Sequence, residues 1–259
     1  MKKLVLLLVL AVCHFAHAET KVLVAAASDL QFVFPELIAQ YEAAHPDVKI
    51  GATYGSSGKF YEQIRNGAPF DLFLSADAAF PQKLIGDGKA AEADFFLYGI
   101  GRLVVWVPKT STLDLGKKGI GVAVDSAVKK IAIANPEHAP YGRAAVAALQ
   151  KLGLYDAVKD KLVLGENVVQ AAQFVETGAA DIGVIGLSIA LAPRLQSEGK
   201  YVEVPLDSYP KLEQGGVVLA TANIEEARKF KAWLESDATR IILQKYGFAL
   251  PLKNAEVVP

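Results

Sequence analysis

Two short stretches place hydroxyls where an extended chain gives way to a helix: Ala25-Ala26-Ala27-Ser28-Asp29 and Gly55-Ser56-Ser57-Gly58-Lys59. Each follows an apolar or β-branched run and precedes residues at helical spacing. Such a turn aims several unpaired N–H groups and one or two O–H groups at one spot. The positive end of a helix dipole lies behind them. The chemistry this permits is oxyanion binding without a counter-charge. A Ser at a helix start also acts as an N-cap, so either stretch alone has two readings. Pro140-Tyr141-Gly142 and Glu166-Asn167-Val168 are two further turns of the same kind.

The ionisable residues beside these turns have alternatives of their own. Asp29 reads as the N-cap of the helix that follows it. Its other reading is an acceptor facing the ligand, which would favour a protonated oxyanion such as hydrogen phosphate. Lys59 and Arg143 stand just inside two of the turns. Long cationic side chains there usually keep their heads in solvent; the alternative is a direct or rim contact with the anion. His138 lies in the turn before Pro140 and is close enough in type to serve Ser57 as a base. The nucleophile-elbow pattern nevertheless fails, because Lys59 replaces its second Gly. The phosphate-loop pattern fails too, with two residues between the glycines instead of four. No His/Cys cluster has metal-ligand spacing. A binding protein is therefore expected, with no catalytic residue and no cofactor.

The chain starts Met1-Lys2-Lys3, runs apolar from Leu4 to Val12, and reaches Ala16-His17-Ala18. This is the pattern of a secretory signal peptide, residues 1–18. Cys13 offers the alternative of a lipid anchor, which the bulk of Val12 before it disfavours. No other run has the roughly 20 apolar residues that span a membrane. Cys13 is the only cysteine, so residues 19–259 form no disulfide and hold no thiolate metal site. Removing the leader leaves 25 basic residues against 28 acidic, a net charge of −3 with His neutral. That balance argues against nucleic acid as a partner, and any anion site must work through local groups.

The elements that would position these turns read as an α/β chain. Val22 to Ala27, Val48 to Tyr54 and Asp71 to Leu74 are strands, each followed by a helical pattern, which calls for a parallel sheet with helices on both faces. Leu30, Val33, Phe34, Leu37, Ile38 and Tyr41 share one helix face, and Pro46 ends that helix. A second α/β unit follows, with strands at 130–134, 162–164, 181–185 and 201–204. Long strands at 102–107 and 215–220 bracket it and read as a pair of crossovers. The expected architecture is two lobes joined by two strands: residues 19–103 with 218–259 as lobe I, and 104–217 inserted as lobe II. Ligands of such sheets sit at the carboxyl ends of the strands, in the cleft. No internal repeat is read.

The motifs together carry a resemblance that covers nearly all of residues 19–259 in order. Ala-Ala-Ala-Ser at 25–28, Ser-Ser at 56–57, Gly-Ala-Pro-Phe-Asp-Leu-Phe-Leu-Ser-Ala-Asp at 67–77, Pro-Glu-His-Ala-Pro-Tyr-Gly at 136–142 and Lys-Tyr-Gly-Phe at 245–248 resemble the periplasmic molybdate-binding proteins of ABC transporters. The resemblance implies the two-lobe periplasmic binding fold of type II. It implies molybdate or tungstate as ligand, permease subunits of an importer as partner, and a periplasmic monomer. Sulfate, phosphate, chromate or a small organic acid are the alternative ligands. It further implies that Ser28 and Ser57 donate hydroxyls, and Tyr141 and Val168 backbone N–H groups, to the oxygens of the anion. Asp29, Ser56, Lys59, Arg143 and Gly186 would lie behind these donors or at the rim. Many such proteins place a Tyr hydroxyl on the anion from the turn that here reads Val184-Ile185-Gly186-Leu187-Ser188. Gly186 holds that place, and two readings of Tyr141 follow: it supplies the phenol instead, or it contributes its backbone N–H alone.

Overall fold

The computed structural model describes residues 19–221 and 223–251. The expected signal peptide and the lipid-anchor alternative at Cys13 lie outside the described residues. Ten strands make two five-stranded sheets. The first contains β1 (Thr20–Ala27), β2 (Val48–Gly55), β3 (Leu72–Ser75), β4 (Phe95–Gly101) and β10 (Leu212–Val218) in the order β2-β1-β3-β10-β4. The second contains β5 (Leu103–Pro108), β6 (Ile131–Ala134), β7 (Leu162–Gly165), β8 (Ile182–Gly186) and β9 (Gly199–Glu203) in the order β7-β6-β8-β5-β9. In each sheet three strands pair in parallel, and the fourth in the order runs against both its neighbours. The sheets are thus mixed, with a single reversed strand each, and the two orders are equivalent position by position. The repeat that the residues do not display is present in the topology.

Helices cover both faces of the first sheet, which explains the unbroken apolar run of β1. Val22, Val24 and Ala26 point into one core with Phe34, Leu37, Tyr41 and Phe230. Ala25 points the other way, to Phe60, Ile64, Phe73 and Leu84. Period-two alternation with burial on both sides leaves no polar positions. In the second sheet Leu103 to Val107 are all at most 1% exposed.

The crossovers differ from the expected ones. Leu103 pairs with Gly186 of the second sheet, and the chain changes sheets at Arg102. β10 pairs with β3 and β4, so residues 212–217 lie in the first sheet and not in the inserted lobe. The return passage is the stretch between Glu203 and Leu212. The likeness of 215–220 to 102–107 suggested a crossover because each is the reversed strand of its own sheet. β4 was not read as a strand at all; its Gly99 and Gly101 interrupt the apolar run. The first long helix starts at Phe34 with Pro35 in its first turn, and residues 28–30 form a short 3-10 turn.

The parallel register brings the chemistry to one edge. Ala27 lies beside Gly55, and Ala26 beside Leu74, so Ser28, Ser56 and Ala76 leave the first sheet side by side. Ala134 lies beside Gly165, which starts the turns to Tyr141 and Val168 from one edge of the second sheet.

Candidate functional site

A small cavity lies between the facing strand ends, walled by Ser28, Asp29, Ser57, Tyr141, Asn167 and Val168 among others. All four donors expected from the sequence therefore meet at one place. Ser28, Ser57, Tyr141 and Val168 are buried, so the lobes must part to admit a ligand.

In lobe I the donors are hydroxyls. Ser28 opens the 3-10 turn Ser28–Leu30. Among the described residues no group hydrogen-bonds its Oγ. The two serines at 56–57 divide their tasks. Ser56 is the N-cap of the helix Ser57–Arg65 and accepts the Lys59 N–H at 3.5 Å. Ser57 Oγ accepts the buried Ala76 N–H at 2.9 Å. Its lone pair is thus engaged by the protein, which leaves its own proton to point at an acceptor in the cavity.

In lobe II the donors are main-chain. Pro140 begins the helix Pro140–Lys151, and the N-cap Ala139 has no side chain to satisfy the N–H groups after it. The Tyr141 N–H is the first one that helix offers. The helix Val168–Glu176 is capped by Asn167, whose Oδ1 accepts the N–H groups of Val169 and Gln170 at 3.0 and 3.1 Å. The cap leaves the Val168 N–H, one residue earlier, to the cavity. Asn167 was placed at the helix start from the sequence, as an Asn directly before an apolar helical run is a cap signature.

No Lys or Arg lines the cavity. Lys59 Nζ is 2.5 Å from Glu166 Oε1, and Arg143 is paired with Asp77. Both cations are half exposed and pair across the lobes, outside the residues that line the cavity. His138 does not reach Ser57. The Ser56 hydroxyl donates to its carbonyl oxygen at 3.1 Å and lies 2.8 Å from its Nδ1. The Gly58 N–H donates to the same carbonyl at 2.9 Å. A Cβ on Gly58 would stand 2.6 Å from that oxygen, so this close approach of the lobes requires Gly.

Asp29 is not the expected cap: the helix after it has no side-chain cap bond. Its carboxylate turns inward instead, and Oδ2 accepts from Gln214 Nε2 at 2.5 Å. Burial pushes the carboxyl up to about 6, against the opposing pull of hydrogen bonds from Gln214 and Tyr141. Oδ1 has no partner among the described residues. The Tyr141 phenol packs behind the cavity. It accepts from Gln214 Nε2 at 3.2 Å, and burial, then the Asp29 charge, hold it well above the ordinary phenol range. A Cβ at Gly186 would lie 3.1 Å from the Tyr141 ring, so the ring uses the space a side chain at 186 would need. Gln214 was missed by the sequence reading, although a lone amide in the apolar strand Leu212–Val218 marks a position with a buried partner.

This arrangement can offer a small tetrahedral anion neutral donors from two lobes. The fold and site define an extracytoplasmic solute receptor. The profile described as "Bacterial extracellular solute-binding protein" matches residues 22–249, and the chain belongs to that family. Two relatives are called molybdate-binding protein ModA. The one from Azotobacter vinelandii is 37% identical, over 92% of each chain. The one from Rhodobacter capsulatus is 38% identical, over 75% of each chain. The solved structure named as the Azotobacter vinelandii periplasmic molybdate-binding protein superimposes with a TM-score of 0.83 at 31% identity, covering 89% of this chain and 99% of that one. These relatives are named as binding proteins, not enzymes.

Proposed function

We propose that the protein captures molybdate between its lobes in the periplasm and delivers it to the permease of an ABC importer. The observation that carries this reading is the cavity itself. Its wall holds two serines and the first residues of two helices, with no Lys or Arg among the described residues that line it. Fixed neutral dipoles stabilise a dianion when water is excluded, and their spacing selects for ion size. The ModA relatives support molybdate over the other tetrahedral anions, because fold alone does not choose a ligand. Tungstate has the same charge and nearly the same radius, so the same donors bind it. Ser28 and Ser57 donate through Oγ, and Tyr141 and Val168 through their main-chain N–H groups. The Tyr141 phenol, committed to Gln214, supports the site from behind.

Lobe I comprises residues 19–101 and 212–251, and lobe II residues 103–203, with Arg102 and residues 204–211 as the passages. The chain acts as a monomer released from its leader after Ala18. Among the described residues no helix is long and apolar enough to cross a membrane.

Calorimetric titration of residues 19–259 with molybdate, tungstate, sulfate, phosphate and chromate tests the reading. Molybdate and tungstate are expected to bind far more tightly than sulfate or phosphate. Equal or tighter binding of sulfate or phosphate would overturn it. Molybdate at about 100 times its Kd should also stabilise the fold by about 2.7 kcal/mol, seen as a raised Tm.

A further inference from the structure

We propose that Asp29 couples anion capture to the uptake of one proton: its carboxylate is protonated as the lobes close over the dianion. This inference rests on the function proposed above.

The geometry around Asp29 carries it. The residue is part of the cavity wall and 1% exposed. Gln214 Nε2 serves Oδ2, while Oδ1 is buried without a partner among the described residues. A buried, unpaired carboxylate oxygen is costly, and a proton on it removes the charge and turns the oxygen into a donor. The groups that enclose Asp29 come from both lobes. Gln214 belongs to β10 of lobe I. Tyr141 and Ser188 belong to lobe II, and Ser188 Oγ donates to the Asp29 carbonyl at 3.0 Å. Groups of both lobes thus enclose the carboxyl at the cavity that would take the anion.

No neighbouring charge offsets it. The titratable groups nearest to it are the phenols of Tyr141 and Tyr98, both kept neutral by burial and by Asp29 itself. Lys59 and Arg143 are tied to Glu166 and Asp77 at the rim. His138 is held by Ser56 and is not among the residues that line the cavity. A dianion and a carboxylate sharing one dry cavity repel, and the weaker acid takes a proton. Burial alone already brings Asp29 to about 6. An anion in the cavity raises it further, through neutral pH.

The test is calorimetry of residues 19–259 with sodium molybdate in buffers of low and high ionisation enthalpy, at several pH values between 7 and 8. Molybdate itself is fully ionised throughout that range. The observed enthalpy should vary with buffer enthalpy with a slope of about one proton. Kd should weaken by about tenfold per pH unit. In Asp29→Asn, which keeps an acceptor for Gln214, the slope should fall to zero and the affinity become flat with pH. Wild-type protein that binds molybdate with no buffer dependence and a flat pH profile would overturn the inference and leave the proposed function standing. An Asp29→Asn variant that keeps the slope would also overturn it, assigning the proton to another group such as His138. Absence of molybdate binding at every pH would overturn the proposed function, and this inference with it.

Discussion

The two lobes have equivalent strand orders and opposite ways of meeting the cavity. In lobe I the strand ends at Ala27 and Gly55 lead to Ser28 and Ser57, and on the proposed reading side chains donate. In lobe II the ends at Ala134 and Gly165 lead to Tyr141 and Val168, and on that reading the main chain donates. Topology determines which strand ends reach the cleft, and local residues decide what those ends present. The difference has a mutational consequence. Hydroxyls are removed by Ala, whereas an N–H is removed only by Pro.

The largest expected effect is on the side-chain half. A hydrogen bond to a charged group contributes about 1.5–3 kcal/mol. The double variant Ser28→Ala/Ser57→Ala should therefore weaken molybdate binding by about 100- to 10,000-fold in calorimetry. Ser57→Ala also strands the buried Ala76 N–H, so its Tm should fall by the equivalent of about 1–3 kcal/mol. Unchanged affinity would mean that lobe I is not a donor wall.

Next comes Asp29, which sharpens the contrast because it puts a carboxyl in the wall of lobe I. Its folded-state value of about 6 lies above the ordinary 3.8. The folded protein thus holds more protons than the unfolded one between those values. Its stability should fall as pH rises from about 4 to about 6, then remain lower by about 3 kcal/mol. Asp29→Asn removes this burden. Urea denaturation without ligand should find the variant more stable than wild type at pH 7, with the advantage shrinking towards pH 4.

The main-chain half breaks differently. Val168 is the first helical residue, and Asn167 before it is extended, with φ −150° and ψ 178°. Pro is tolerated at a first helical position and favours an extended residue before it. Val168→Pro should keep the fold and lose roughly ten- to a hundredfold in affinity for its missing N–H. Val168→Ala should bind like wild type. If Ala weakens binding as much as Pro, the side chain and not the N–H is the contact.

The smallest effects belong to the rim. Lys59→Ala and Arg143→Ala each remove an exposed ion pair between the lobes, worth about 0.2–1 kcal/mol. Affinity should fall less than about fivefold, and less still at high salt. A loss comparable to that of the serines would show that the cations, and not the neutral donors, hold the anion.

Much of this could be read from the sequence, and the exceptions share a cause. Strand-to-helix turns are local, so the four turns that hold Ser28, Ser57, Tyr141 and Val168 are legible from residues a few positions apart, while the family resemblance singled out the donors within them. What sequence reasoning missed depends on contacts between distant segments. Gln214 meets Asp29 across 185 positions, and Ser56 meets His138 across 82. The Asp29 carboxyl turns away from its own helix because that amide and the Tyr141 phenol await it, which no local pattern encodes. β10 was assigned to the wrong lobe for a related reason: an apolar strand does not announce its partners, and its pairing with β3 spans more than 130 residues. The Tyr141 ring packs against Gly186, another contact between segments distant in the chain.

The claim at the centre is that one oxyanion is held by neutral donors from both lobes. The most direct measurement is an anomalous difference map at the molybdenum edge, from crystals of residues 19–259 grown with molybdate. The account predicts one strong peak inside the cavity, with ligand oxygens within hydrogen-bond distance of Ser28 Oγ, Ser57 Oγ, Tyr141 N and Val168 N. A peak beside Lys59 or Arg143 at the rim, with none in the cavity, would contradict it.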